Sequence, residues 1–251
     1  MNFLVALAGL IPALWAMWYV EKHDARRPEP RHLLRKVALA GGLATIPCIV
    51  VQLLLNLVQP SGVAGALFDS YASAGLTEES VKALCLYLVV WRHPAFDERF
   101  DGIVYGTRAG LGFALVENVG YLLGAESVGG FVGMFLMRAV LAVPGHAIWG
   151  GFMGHYAAKK RFDGKGPGLL GGLVLAIAMH GTYDAALFLA PFVPKDLAIL
   201  YLPILATPVL IVVLGYRMLK KLALQDIAKD DLTHAHPAMP RLPFGLGFML
   251  R

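Results

Sequence analysis

The sequence predicts an all-α, polytopic membrane protein of about seven transmembrane helices, with the N-terminus outside and the C-terminus cytoplasmic. Three observations carry that reading. Of 251 residues, 57% are hydrophobic and 16% charged, with mean hydropathy +0.63; soluble domains average about 25% charged. The apolar residues fall in long unbroken runs, not in the alternating short segments of a barrel. Lysine and arginine crowd alternate loops, which fixes the orientation.

The first span covers about residues 3–20. It has no basic segment before it and no small-residue cleavage site, so it reads as a retained span and not a signal peptide. Trp15, Trp18 and Tyr19 suit an interfacial belt at its inner end. The second span is about 33–58. The third, about 76–91, is short against the ~20 residues that cross a ~30 Å core, and a helical or re-entrant piece from 62 precedes it. The remaining spans are about 102–124, 128–157, 168–190 and 197–219. Residues 1–222 form one helical membrane domain, and 223–251 a more polar cytoplasmic tail to which no chemistry is assigned.

The loops test this order. Lys22, Arg26, Arg27, Arg31, Arg35 and Lys36 follow span one; Arg92 and Arg99 follow span three. Lys159, Lys160, Arg161 and Lys165 follow span five, and Arg217, Lys220 and Lys221 close span seven. The alternate loops hold only Lys195. The net charge of +5 therefore reflects cytoplasmic loops, not nucleic-acid binding. Cys48 and Cys85 lie in apolar segments and read as reduced thiols.

Against this background a few ionisable residues stand out. Glu78 and Glu79 adjoin the apolar run that follows them; Glu117 and Asn118 sit mid-span, His146 near the middle of span five, and His180 with Asp184 on one face of span six. At ~1.5 Å rise per residue, these positions are compatible with one cluster in the outer half of the bilayer. Ionised groups in hydrocarbon are costly and mark functional sites. Each has a plainer reading: a helix-start pair of Glu78 with Lys82, capping at Thr77, or a packing histidine. Jointly, such readings need several separate costly coincidences at similar depth. Arg108 and Arg138 read as packing or interfacial residues, Arg138 also as compensation for a glutamate; His155 reads as interfacial. The glycine pairs 41–42, 129–130, 150–151 and 171–172 read as close-approach points between helices. There is no P-loop, dinucleotide fingerprint, HExxH, CxxC or GxSxG motif.

Glu78-Glu79-x-x-Lys82, Phe113-x-x-x-Glu117-Asn118, His146 and His180-x-x-x-Asp184 together resemble the PrsW family of intramembrane proteases, relatives of the CAAX prenyl endopeptidases and bacteriocin-processing membrane proteases. The resemblance covers about residues 62–190. It implies peptide-bond hydrolysis in the cell membrane of a bacterium. The implied substrate is a single-pass membrane protein, such as a membrane-anchored anti-sigma factor, and the lipid bilayer is the other partner. The paired glutamates and the histidines would carry the activity.

Amide hydrolysis needs an activated water, a stabilised oxyanion and a proton for the leaving amine. Two arrangements fit. In one, a divalent metal, zinc by preference, is held by His146, His180 and a carboxylate, Glu117 before Glu79, and the remaining glutamate of the pair is the base. In the other there is no metal; a buried glutamate activates water, and a histidine with Asn118 stabilises the oxyanion. Lys82 neutralises a glutamate, and Asp184 orients His180. Two rivals use the same residues: a proton-coupled transporter, and a silent scaffold with a polar core. Replacing Glu79 by Gln separates the three readings through cleavage, flux or binding.

Overall fold

The structure is a computed structural model and describes residues 7–23 and 27–235. The first residues of the predicted opening span, Arg26, and the tail beyond residue 235 lie outside them. Every regular element among the described residues is helical. In chain order these are α1 (Leu10–His23), α2 (Arg31–Leu43), α3 (Thr45–Asn56), α4 (Gly62–Phe68), α5 (Thr77–Cys85), α6 (Arg99–Leu123), α7 (Val128–Met137), α8 (Val143–Asp163), α9 (Gly168–Phe188), α10 (Ala198–Leu205) and α11 (Thr207–Ala235). A π-helical stretch, Asp69–Leu76, joins α4 to α5, and another, Leu86–Val90, follows α5, so the predicted third span is helical from Gly62 onward. A π turn at Arg138–Ala142 joins α7 to α8.

Among the described residues, four helical stretches are long and apolar enough to cross a membrane: Arg31–Asn56, Val128–Asp163, Gly168–Phe192 and Tyr201–His234. Their outward faces carry side chains such as Ile46, Leu53, Leu136, Val174 and Leu210, each about half exposed or more. In water that much apolar surface would be a liability; in a bilayer it is the solvated face. Trp15 and Trp18 are likewise outward, 61% and 54% exposed.

Helix α6 is the axis of the bundle. Its first turn is closed by a reciprocal cap in which Asp101 Oδ2 accepts from the Glu98 N–H at 2.8 Å. From Phe100 to Ala114 it is buried throughout. Gly102 and Gly106 meet Gly154 and Gly150 of α8 so closely that a Cβ on Gly106 would lie 2.1 Å from the Gly150 oxygen. A methyl group at either point would force α6 and α8 apart, and with them the residues they carry. Of the glycine pairs singled out in the sequence, Gly41 and Gly150 make such contacts, whereas Gly129 faces open space.

Some polar residues differ from expectation. His155 is buried, not interfacial, and its Nδ1 lies 2.6 Å from Asp226 Oδ2, because α11 runs alongside α8 to that depth. Arg108 pairs with Glu21. The boundary drawn at residue 222 falls inside α11, whose later turns place Asp226 and Asp230 in buried contacts.

Candidate active site

Four helices bring the singled-out residues together. Helix α5 supplies Glu78, Glu79 and Lys82, all buried on one face because positions three and four apart share a face. Helix α6 supplies Glu117 and Asn118, α8 supplies His146, and α9 supplies His180 and Asp184. The π-helical stretch before α5 rotates the register just ahead of the glutamates, a feature found often at functional sites.

Lys82 is at the centre and wholly buried. Its ammonium lies 2.7 Å from Glu79 Oε1, 3.5 Å from Glu78 Oε2 and 2.8 Å from His146 Nδ1, and 4.3 Å above the Phe113 ring. An ammonium only donates, so His146 accepts through Nδ1, and its Nε2, 2.7 Å from Glu117 Oε2, faces that carboxylate as donor. His180 donates through its Nδ1–H to Glu79 Oε1 at 2.8 Å; its Nε2 lies 3.3 Å from Asp184 and 4.0 Å from Glu78. A histidine held at Nδ1 by a carboxylate presents Nε2 in a fixed direction, the usual support for a metal-binding imidazole. Trp149 stacks on the His180 ring, 4.1 Å between centroids, and fixes its plane.

Asn118 is less free than an oxyanion donor would need to be. Its amide donates to the Gly9 carbonyl at 3.1 Å, and its oxygen accepts from Arg138 Nε at 2.6 Å. Arg138 also donates to Glu117 Oε2 at 2.6 Å. In the sequence Arg138 reads as a packing or interfacial residue or as compensation for a glutamate; its hold on both Glu117 and Asn118, the Lys82–His146 contact and the Trp149 stack depend on packing between distant segments.

Whether this set suits a cation can be judged from its own atoms. Glu79 Oε2 is buried and accepts no hydrogen bond. Ligand atoms of Glu78, Glu117 and His146 lie within 4.8 Å of one another, as do those of Glu78, Glu79 and His180. The four ligands expected from the sequence are therefore split between two groups, and Glu78 belongs to both. By formal charge, Glu78, Glu79, Glu117 and Asp184 face only Lys82 and Arg138, leaving two negative charges in a low-dielectric interior. One divalent cation closes that balance, and nitrogen with carboxylate oxygen is a zinc-type donor set.

Comparison with known proteins gives this geometry its context. The profile of the PrsW family intramembrane metalloproteases matches residues 29–214, which includes every site residue above. The chain belongs to the PrsW family. Protease PrsW of Bacillus subtilis (strain 168) is 36% identical over 185 residues, covering 72% of this chain and 82% of that protein. Protease PrsW of Geobacillus kaustophilus (strain HTA426) is 34% identical over 186 residues, 72% of this chain and 79% of its relative. For Protease PrsW of Clostridioides difficile (strain 630) the figures are 31% over 188 residues, 73% and 79%. No solved structure matches the chain. The protein is thus a multi-pass membrane protease of the PrsW family, and the transporter and scaffold readings fall away.

Proposed function

We propose that this PrsW-family enzyme cuts a single-pass membrane protein, for instance a membrane-anchored anti-sigma factor, in the cell membrane of a bacterium, with one zinc ion held by His146, His180, Glu78 and Glu117. The observation that carries this is the place of Glu78 in both ligand groups, one with each histidine. A bound zinc would supply a Lewis acid that polarises the scissile carbonyl and acidifies water. The chain's own residues do the rest. Glu79 is the base, because within this cluster its Oε2 is a buried carboxylate oxygen without a partner. Its other oxygen, bonded to Lys82 and His180, keeps it in place. Lys82 offsets the repulsion between the adjacent glutamates. Asp184 adds a further carboxylate beside the His180 Nε2, 3.3 Å away on the next turn of α9.

The proposed topology is seven spans, N-terminus outside and C-terminus cytoplasmic, supported by the alternation of basic loops. With that orientation the cluster lies in the outer half of the bilayer, within reach of external water and of a substrate's juxtamembrane segment. The protease domain then extends past residue 222, because α11 continues to Ala235 with Asp226 and Asp230 packed against α8 and the start of α6.

Elemental analysis of the purified, never-chelated protein tests the zinc reading. Wild type should carry stoichiometric zinc and His180→Ala should lose it. Absence of metal from an active wild type would remove the zinc reading and leave the glutamate-based arrangement.

A further inference from the structure

Arg138 opens the π turn between α7 and α8, and it is where that span first becomes buried: α7 itself has no buried residue, whereas Arg138 is 9% exposed. A π turn inserts extra backbone and turns a side chain off the regular helical stripe. Here it turns the guanidinium toward one turn of α6. Nη2 donates to Glu117 Oε2 at 2.6 Å, Nε donates to Asn118 Oδ1 at 2.6 Å, and the guanidinium carbon lies 4.0 Å from the Tyr121 ring centroid. Asn118 is anchored at its far side by the Gly9 carbonyl, so its oxygen is held facing the arginine. The three contacts together fix both the position and the plane of the guanidinium.

The consequence falls on Glu117. Its Oε2 takes donors from Arg138 and from His146, at 2.6 and 2.7 Å. A carboxylate with one oxygen held from two directions cannot rotate freely, and Glu117 is the partly exposed member of the ligand group it forms with Glu78 and His146. Without the arginine, His146 would hold that carboxylate from one direction alone, leaving it free to swing about that single contact.

We propose that Arg138 is a positioning residue for the reaction: it locks Glu117 through a fork shared with Asn118 and so sets the geometry of the ligand group. The role requires a guanidinium, because a planar fork reaches two acceptors at once while a lysine ammonium is a point donor. The inference rests on Glu117 belonging to the active site.

The test uses the full chain purified in detergent, with cobalt(II) as the probe ion. Wild type, Arg138→Lys, Asn118→Ala and the double variant are compared for cobalt affinity, for the shape of the cobalt d–d absorption, and for thermal stability without metal. Arg138→Lys should weaken cobalt binding about 10- to 100-fold, the usual cost of losing a residue that orients a ligand, and should alter the absorption band. Its metal-free melting temperature should stay near wild type. Asn118→Ala should weaken binding less, and the double variant should be no worse than Arg138→Lys, because both act through one fork. Wild-type affinity and spectrum in Arg138→Lys would overturn the proposal. So would an affinity loss matched by collapse of metal-free stability, which would make the arginine structural only. Wild type that binds no cobalt would instead be a failure of the metal reading. Arg138→Lys must then still lower kcat with KM held, on a quenched fluorescent transmembrane peptide, or the positioning role fails as well.

Discussion

The cluster around Glu79 and the network around Asp230 are made from similar side chains, yet they satisfy them in opposite ways. Asp230, on the last turns of α11, accepts from the N–H groups of Arg99 and Phe100 at 3.1 and 3.0 Å and from the Arg99 guanidinium at 2.9 Å. It caps the first turn of α6 from the far end of the chain. Around it, Arg99 pairs with Asp163 at 2.7 Å, Arg27 with Glu98 at 2.5 Å, and Lys229 with Asp163 at 3.2 Å. Backbone amides and guanidinium groups, which hold their protons, are the main donors there. Around Glu79 the donors are an ammonium shared three ways and two imidazoles, and one carboxylate oxygen has no partner. Both oxygens of Asp230 are occupied, which holds it rigidly; the open oxygen of Glu79 gives a place where a cation or a water can enter and where a proton can move. One axis, α6, connects the two: its capped start is in the network and its Glu117 is in the cluster.

Breaking the cluster should cost activity more than stability. Glu79→Gln keeps the size of the side chain and removes its ability to accept a proton. Cleavage should fall about 10²- to 10⁴-fold, the range for loss of a general base. Zinc content should stay near wild type, in contrast with His180→Ala. Equal loss of zinc in both variants would make Glu79 a ligand instead of the base, which the elemental analysis would reveal directly.

Breaking the network should do the reverse. Asp230→Ala leaves two first-turn N–H groups of α6 without their cap, although Arg99 retains Asp163. The expected loss is about 1–3 kcal/mol of stability. A lowered melting temperature in detergent, with zinc content and specific activity of the folded fraction preserved, is the outcome that keeps the two regions distinct. A fall in activity larger than the unfolded fraction explains would mean that the capped start of α6 also governs the position of Glu117.

The same comparison explains what could be read from the sequence. Glu117, His146 and His180 stand in apolar runs, where a charge has few structural excuses, so their residue types alone flagged them. Asp226, Asp230 and Glu98 sit in polar stretches where acidic residues are ordinary, and nothing local separates a buried cap from a solvated charge. His155 is the same case: nearness to the end of a span suggests an interface, whereas Asp226 of α11 packs against it. The four-residue spacing of Gly102, Gly106 and Gly110 is visible in the sequence, but that it faces Gly150 and Gly154 is a property of the packed pair. The third span looked short because π-helical backbone from Asp69 to Leu76, rich in small and polar residues, does not register as an apolar run.

The smallest effect concerns Glu29, which lies in the loop between α1 and α2 beside the network and is 8% exposed. Burial pushes its carboxyl above the ordinary glutamate range, with Asp97 and Glu98 adding repulsion, while the hydrogen bond from Tyr105 works against the shift. A folded-state pKa above the unfolded value means a contribution to stability that is fully present below the unfolded pKa. It is lost as pH rises through the folded one. The melting temperature should therefore decline as pH rises above the ordinary glutamate range, by a term whose slope cannot exceed about 1.4 kcal/mol per pH unit for one proton. Glu29→Gln cannot ionise and retains an acceptor for the Tyr105 hydroxyl, so it should flatten that part of the profile. Identical pH slopes in wild type and variant would show that Glu29 titrates alike folded and unfolded. The network would then owe its pH response to other groups, with Glu98, whose carboxyl burial also raises, the next to replace.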